Sequence, residues 1–301
     1  MLTRPAICIT TYRREKYLDY LLSKLCMQTF NNFIIIITDN ANESSILELI
    51  KGYEKLNIAY FKETRQGVCY ARNKCLEEFL RTNSDCLVWI DDDEFPMNRY
   101  WLEELIKVQD QTGAYVVGGD VLTEPVDDTQ QYLKKALYKK SMAARDGESL
   151  RYFYTNNTLI VKEVIEKVGF FDLAFNLSGS EDLDFAIRAK QLGFQAVYSQ
   201  KAKVMEFHPK EKSTTRWFLL RGIRIGEGFT LANIKSYGVA MSAGYSILLS
   251  GYRIMVSLYL HIVALLKQDR GCFLNAALRF GTAIGALSAL CGHKYKEYKN
   301  H

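Results

Sequence analysis

No C-x-x-C pair occurs among the seven cysteines of this 301-residue chain (Cys8, Cys26, Cys69, Cys75, Cys86, Cys272 and Cys291), and their number is odd. A disulfide framework and a thiolate zinc site are therefore disfavoured, and a reducing compartment is expected. No G-x-G-x-x-G follows the first apolar run, and no G-x-x-x-x-G-K-[ST] occurs anywhere. An ordinary dinucleotide-binding or P-loop enzyme is disfavoured on that ground. The opening Met1-Leu2-Thr3-Arg4-Pro5 lacks the charged-then-apolar order of a signal peptide, so the expectation is a chain that is not secreted. Clean spans of about 20 apolar residues are missing as well, because Arg253 and Arg279 interrupt the longest runs.

What the sequence does contain is ordinary in bulk and uneven in placement. Apolar residues make up 48% and charged residues 24%, a globular composition that excludes disorder and fibrous repeats. Residues 210–301 carry 13 Lys/Arg against 4 Asp/Glu, whereas residues 1–209 carry 26 against 30. An anionic partner for the C-terminal third is the natural inference. The same third holds the uncharged run Ser236–Tyr252, the run Ile254–Leu266, and another from Phe280 to His293. Interleaved basic and apolar residues suit helices lying in a membrane interface, and the long uncharged runs fit lipid better than nucleic acid. Packing against the chain's own domain or a second subunit is the competing reading.

The first 120 residues alternate short β-rich runs with helical stretches. Strands are expected at Ala6–Thr10, Phe33–Thr38, Ile58–Phe61, Cys86–Ile90 and Ala114–Val117. Helices are expected at Lys16–Gln28, Ser45–Leu56, Gly67–Arg81 and Asn98–Gln109. Apolar strands joined by helical crossovers imply an α/β fold, with a mostly parallel central sheet and helices on both faces. Ligands of such sheets sit at the carboxyl ends of the strands. There the sequence places Thr10-Thr11-Tyr12-Arg13, Asp39-Asn40 and Asp91-Asp92-Asp93-Glu94. A buried strand running into four successive acids is electrostatically poor unless a positive charge sits there. Hard oxygen donors suit Mg²⁺ or Mn²⁺, and in an extended segment Asp91 and Asp93 would face the same way.

Six ordered motifs give these acids a context: Ile9-Thr10-Thr11-Tyr12-Arg13-Arg14, Gln28-Thr29-Phe30 with Ile37-Thr38-Asp39-Asn40, Gly67 with Ala71-Arg72-Asn73, Trp89-Ile90-Asp91-Asp92-Asp93-Glu94, Val168-Gly169-Phe170-Phe171-Asp172, and Glu181-Asp182-Leu183-Asp184 with Arg188 and Gly193. Over residues 5–230 the chain resembles the inverting family 2 glycosyltransferases of the GT-A fold, bacterial enzymes that build surface polysaccharides. It departs from them in three places. Thr38-Asp39 offers one carboxylate where an acid pair is usual. Pro96 follows the metal motif closely, and Arg216-Trp217 lacks the glutamine of processive synthases.

The resemblance implies a GT-A-like domain made of a nucleotide-sugar-binding half (1–97) and an acceptor-binding half (98–235). An apolar and basic helical region (236–301) follows, membrane-associating or dimerising. It implies metal-dependent transfer of a hexose from a UDP-sugar to a lipid-linked saccharide, at the cytoplasmic face of the inner membrane. Asp91, Asp93 and His208 are the expected ligands of Mn²⁺ or Mg²⁺, and Thr10, Tyr12, Asp39, Arg72 and Asp92 the expected nucleotide contacts. Asp182 is the expected catalytic base, with Glu181, Asn156, Trp217 and Arg221 on the acceptor side. Two other readings compete: a sugar nucleotidyltransferase, and a catalytically idle membrane scaffold of the same fold. The missing glycine- and lysine-rich phosphate loop argues against the first. Intact Asp39, Asp91, Asp93 and Asp182 argue against the second.

Overall fold

In the computed structural model, residues 2–41, 44–125, 130–137, 145–176 and 178–293 are described. The last eight residues of the expected C-terminal region therefore lie outside the described residues. The chain groups into two compact units. One comprises Met1–Leu122, Lys140–Leu173 and Phe185–Glu206, the other Thr123–Lys139, Ala174–Asp184 and Phe207–His301.

The first unit is built on an eight-stranded sheet. Its parallel half consists of β1 (Pro5–Thr11), β2 (Ile34–Asp39), β3 (Ile58–Lys62) and β4 (Cys86–Trp89). These strands are runs of β-branched and apolar residues because both faces are covered; Ile7, Ile9, Ile35, Ile37, Leu87 and Val88 are all fully buried. Crossovers run through α1 (Glu15–Leu25), α2 (Ser44–Lys51) and α3 (Val68–Arg81). Leu18, Leu21, Leu22 and Leu25 recur at helical spacing on α1 and are all buried, at about 1.5–3 kcal/mol for each side chain. The α2 helix stops at Lys51, short of the expected Leu56. Gly52 and the following turn, with Leu56 N–H donating to Tyr53 O at 2.9 Å, end it there.

The other half of the sheet is antiparallel. Strand β7 (Thr158–Val161) pairs antiparallel with β4 and with β6 (Val116–Pro125), and β5 (Glu94–Pro96) pairs antiparallel with β8 (Ala196–His208). The strand order is β3-β2-β1-β4-β7-β6-β8-β5. The α/β class is the expected one, with more antiparallel pairing than the apolar runs suggested. Two further helices, α4 (Trp101–Thr112) and α6 (Lys162–Val168), complete the unit. Asn157, fully buried and left-handed (φ 50°), ties three segments together. Its amide donates to Asp120 O (2.9 Å) and Ala202 O (2.7 Å), and its carbonyl accepts from Trp101 Nε1 at 2.7 Å. Gly119 leaves room for it, since a Cβ there would lie 1.9 Å from Ala202 O.

The second unit is helical: α5 (Tyr132–Ala136), α8 (Thr215–Tyr237), α9 (Val239–Lys267) and α10 (Arg270–Leu290). The helix α7 (Glu181–Gln191) begins in this unit and ends in the first. Helices α8 and α10 meet backbone to backbone through reciprocal glycine pairs. A Cβ on Gly222 would stand 2.2 Å from Leu278 O, and one on Gly226 2.1 Å from Thr282 O. Across the same seam, Gly281 faces Leu219 O at 2.2 Å and Gly285 faces Ile223 O at 2.0 Å. Small residues four apart on both helices are what permit this approach. Gly226→Ala and Gly281→Ala should each cost about 1–3 kcal/mol through overpacking. Gly251→Ala, with nothing within 4 Å, should be neutral or stabilising. Thermal melts followed by helical circular dichroism measure the contrast, and equal melting temperatures would contradict the packing.

Candidate active site

The carboxyl ends of β1, β2 and β4 lie along one sheet edge. Register pairs Thr10 with Thr38 and Thr11 with Asp39, and Ile90 N–H donates to Cys8 O at 3.4 Å. Thr10, Tyr12, Asp39, Arg72 and Asp91–Glu94 are thereby brought to one region of the first unit. Asp39 is fully buried; it accepts from Ala41 N–H and from the Tyr60 hydroxyl, each at 2.8 Å. Burial and that carboxylate push the Tyr60 phenol up. Tyr12 is 42% exposed, and Arg13 beside it is left-handed (φ 54°) with its guanidinium 5.3 Å over the Tyr12 ring.

The neighbouring Asn40 had no individual role in the sequence reading. Its amide donates to Glu63 O and Arg65 O, both at 2.8 Å, and its carbonyl accepts from Gly67 N–H at 2.9 Å. Gly67 (φ 134°) is the residue that opens α3, so Asn40 fixes where the helix carrying Arg72 begins. The sequence cue was an Asn closing a strand before a glycine-led helix.

The four acids do not continue the strand. Trp89 ends β4, Asp92 and Asp93 form a turn closed by Glu94 N–H to Asp91 O at 3.0 Å, and Glu94 starts β5. The expected sharing of one face by Asp91 and Asp93 is thus replaced by a turn, because four consecutive charges cannot all be buried side by side in a sheet. Two arginines supply positive charge. Arg14 Nη1 lies 2.8 Å from both Asp92 Oδ1 and Asp93 Oδ2, and Arg72 Nη2 lies 3.4 Å from Asp91 Oδ1. Arg14 was part of a motif but not a named site residue; its cue was a cation just beyond the first strand, in a fold with buried acids after the fourth. Asn156 Nδ2 donates to Glu94 Oε1 at 3.1 Å, and Glu94 Oε2 accepts from Asp91 N–H, so Asn156 supports the acid turn.

Two arginines do not neutralise five acids, since Glu206 faces Glu94 across the β5–β8 pair. Burial, partly offset by Arg72, raises Asp91 to about 6, and Asp93 and Glu206 add to the rise. Burial raises Asp92 to about 7 against the pull of Arg14, and pushes Glu94 well above the carboxylate range with help from Asp91 and Glu206.

In the second unit, Glu181 and Asp182 open α7. Glu181 is buried, and Asp182 Oδ1 accepts from Leu183 N–H at 2.7 Å. Their loop is seated on α8: Gly228 sits where a Cβ would come 1.9 Å from Ser180 Oγ, and Lys235 Nζ pairs with the fully buried Asp184 at 2.6 Å. His208 closes β8; its Nε2 lies 3.0 Å from Lys212 O, and its ring stands edge-on to Trp217 at 5.3 Å. Arg221 stacks on Trp217 at 5.0 Å. Both are one helical turn apart on α8 and form a cation–π pair.

The model of the family described as Glycosyl transferase family 2 matches residues 6–169, more than half of the chain. The chain belongs to this family. Among characterised relatives, the succinoglycan biosynthesis protein ExoM of Rhizobium meliloti is 28% identical over 302 aligned positions, covering 96% of this chain and 93% of that protein. A chondroitin synthase of Pasteurella multocida is 26% identical, over 76% of this chain but only 27% of its own length. In three dimensions, the Pyrobaculum calidifontis mannosyltransferase PcManGT, solved with GDP-Man and Mn²⁺, superposes with a TM-score of 0.66 at 16% identity. It covers 95% of this chain and 88% of that one. The S. aureus protein TarS, solved as residues 1–349 with UDP-GlcNAc, gives 0.56 at 15% identity and covers 97% of this chain and 93% of that chain. The fold is that of the GT-A glycosyltransferases, as expected.

For a family 2 enzyme the acid turn has a suitable donor set. Among the described residues no three His, Cys, Asp or Glu side chains gather as a closed metal cage. A hard divalent ion needs only one or two carboxylates when substrate phosphates complete its shell. Excess buried negative charge, with carboxyls held above their usual range, is complementary to such an ion.

These shifts carry a sign. Asp91 and Asp92 bind protons more tightly folded than unfolded, so their contribution to stability is fully present below about pH 4 and is lost as pH rises through about 6 and 7. The metal-free chain should therefore melt at lower temperature at pH 8 than at pH 5, and Asp92→Asn should flatten that slope. Calorimetric melts across this range test it; identical slopes would count against the buried-acid account.

Proposed function

We propose that the chain is a metal-dependent inverting hexosyltransferase. Its donor is a UDP-sugar, its acceptor a lipid-linked saccharide, and its setting bacterial cell-surface polysaccharide synthesis at the inner face of the cytoplasmic membrane. The carrying observation is the acid turn Asp91–Glu94, with Asp92, Asp93 and Glu94 buried and Asp91 half-buried, on the same sheet edge as Thr10 and Asp39, in a chain of this family. The name of the relative ExoM, a succinoglycan biosynthesis protein, supports the setting. The solved neighbours with GDP-Man or UDP-GlcNAc support a nucleotide-sugar donor.

In this reading Asp91 and Asp93 hold Mn²⁺ or Mg²⁺. When bound, that ion offsets the charge of the departing diphosphate. The protein's own groups do the positioning. Tyr12 stacks on the base, and Asp39, at the carboxyl end of the second strand, accepts a base N–H. Thr10 lines the base. Arg72 and Arg14 offset part of the cost of burying the acids, and Arg72 can exchange Asp91 for a phosphate oxygen. Asp92 keeps Arg14 in place beside the nucleotide. On the acceptor side Asp182 takes the proton of the attacking hydroxyl while Glu181 orients it. Asn156 supports the turn through Glu94, and Trp217 with Arg221 contacts the acceptor. The aromatic and backbone contacts of His208 support a packing role, with metal ligation the alternative.

Release of the nucleoside diphosphate, UDP from UDP-sugars and GDP from GDP-sugars, measured across a donor panel with and without Mn²⁺, tests the reading; no release from any donor with metal present would reject it. Asp91→Ala or Asp93→Ala should abolish Mn²⁺-dependent UDP binding in titration calorimetry. Asp182→Asn should keep UDP binding while turnover falls by roughly 10²–10⁴. Unchanged turnover would exclude Asp182 as the base.

A further inference from the structure

Helix α9 has its polarity reversed. The side packed inside the second unit carries Ser242, Ser246, Ser250 and Ser257, each at most 2% exposed. Three of these serines bond to the neighbouring helices. Ser246 Oγ meets Thr230 Oγ1 at 3.1 Å, Ser250 donates to Ala283 O at 3.3 Å, and Ser257 donates to Ala276 O at 2.8 Å. The opposite side is apolar and open: Met241, Leu248, Met255 and Ile262 are 57–76% exposed, and Leu265 and Leu266 are 76% and 81% exposed. Tyr245, Tyr252 and Tyr259, seven residues apart, lie along it at 39–65%. Twelve large apolar side chains of this one helix are exposed in all. A soluble helix buries such residues and exposes the serines.

We propose that the outer face of α9 lies in the plane of a phospholipid surface, an in-plane anchor that does not span the bilayer. Three observations select lipid over a second copy of the chain. A helix-to-helix seam needs a narrow apolar stripe with Glu and Lys beside it. Here the positions flanking Met241, Tyr245, Leu248 and their heptad successors carry no charge and include Leu249, Val256, Leu258, Val263 and Leu265, with Ser242, Gly244 and Gly251 in the first turns. The apolar surface is thus broader than a zipper. No Asp or Glu occurs from Gly228 to Gln268, and exposed Lys267 and Arg270 sit at the end of the helix, matching an anionic headgroup layer. Arg253, the charge within α9, is turned inward over the Phe229 ring at 5.9 Å. An in-plane orientation follows from the partners. At 29 residues α9 is about 43 Å long, and Ser246, Ser250 and Ser257 tie its middle to α8 and α10. Helix α8 carries Arg216, Arg221, Arg224, Glu227 and Lys235, which a spanning arrangement would drag into hydrocarbon. The anchor stands independently of what the acid turn transfers.

The test uses the full chain with vesicles of phosphatidylglycerol and phosphatidylethanolamine. Wild type should float with them, and Met255→Glu/Ile262→Glu should reduce the bound fraction about tenfold or more while leaving the circular dichroism and UDP binding intact. In a Leu248→Trp variant, fluorescence should be quenched by lipids brominated near the headgroup and not by those brominated at the chain ends. Undiminished flotation of the double variant overturns the proposal, and so does quenching from the bilayer centre. A lipid-free dimer in light scattering, dissolved by the same two substitutions, would assign the face to a second copy instead.

Discussion

Four carboxylates at the end of one strand and a fifth on the neighbouring β8, with two guanidinium groups against them, are the constraint around which the first unit is organised. Buried anions of this density are tolerated only where geometry delivers cations to them. The left-handed backbone at Arg13 is followed at once by Arg14, whose single Nη1 serves Asp92 and Asp93. Arg72 is delivered to Asp91 by α3, which starts where the Asn40 side chain holds Gly67. The acids are thus poised short of neutrality, a state that favours the arrival of more positive charge. A fully compensated cluster would be more stable and would have no affinity left for an ion or for its phosphates.

The second unit solves a different problem with different means. Its helices are brought together by backbone contact at four glycines and by serine hydrogen bonds, beside a small apolar cluster built on Leu133, Phe218 and Leu274. Close glycine packing leaves little apolar area to bury, so the large apolar side chains of α9 are free to point outward. The same economy appears at Gly228, whose missing Cβ seats the Ser180 loop from which Glu181 and Asp182 start their helix. Substitutions that thicken α8 are therefore expected to disturb the start of α7 as well as the helix packing.

Much of this was legible in the residues. Buried strands such as Ile34–Asp39 have no alternation to hide, and the leucines of α1 repeat at helical spacing, so the parallel half of the sheet follows from pattern alone. The antiparallel half was not legible, because β7 is four residues long and β5 three, too short for periodicity to carry direction. At the site, the acids after β4 were visible, but their conformation was not. A run of Asp reads equally as strand or turn until the cost of burying neighbouring charges is weighed.

Arg14 illustrates why the counter-ions escaped notice. It is 78 residues from Asp92 in sequence and adjacent to it in space only because β1 and β4 are parallel neighbours. A pattern read along the chain finds charge clusters, whereas compensation across a sheet requires the strand order. Once β1 is known to lie beside β4, a cation beyond the end of β1 is the nearest available partner for acids beyond the end of β4. The general consequence is that acids at a strand end should be read together with the residues that follow the adjacent strands. An ion accepted there has to be weighed against the arginine already in place, because binding it means displacing or sharing a 2.8 Å contact rather than filling an empty cage.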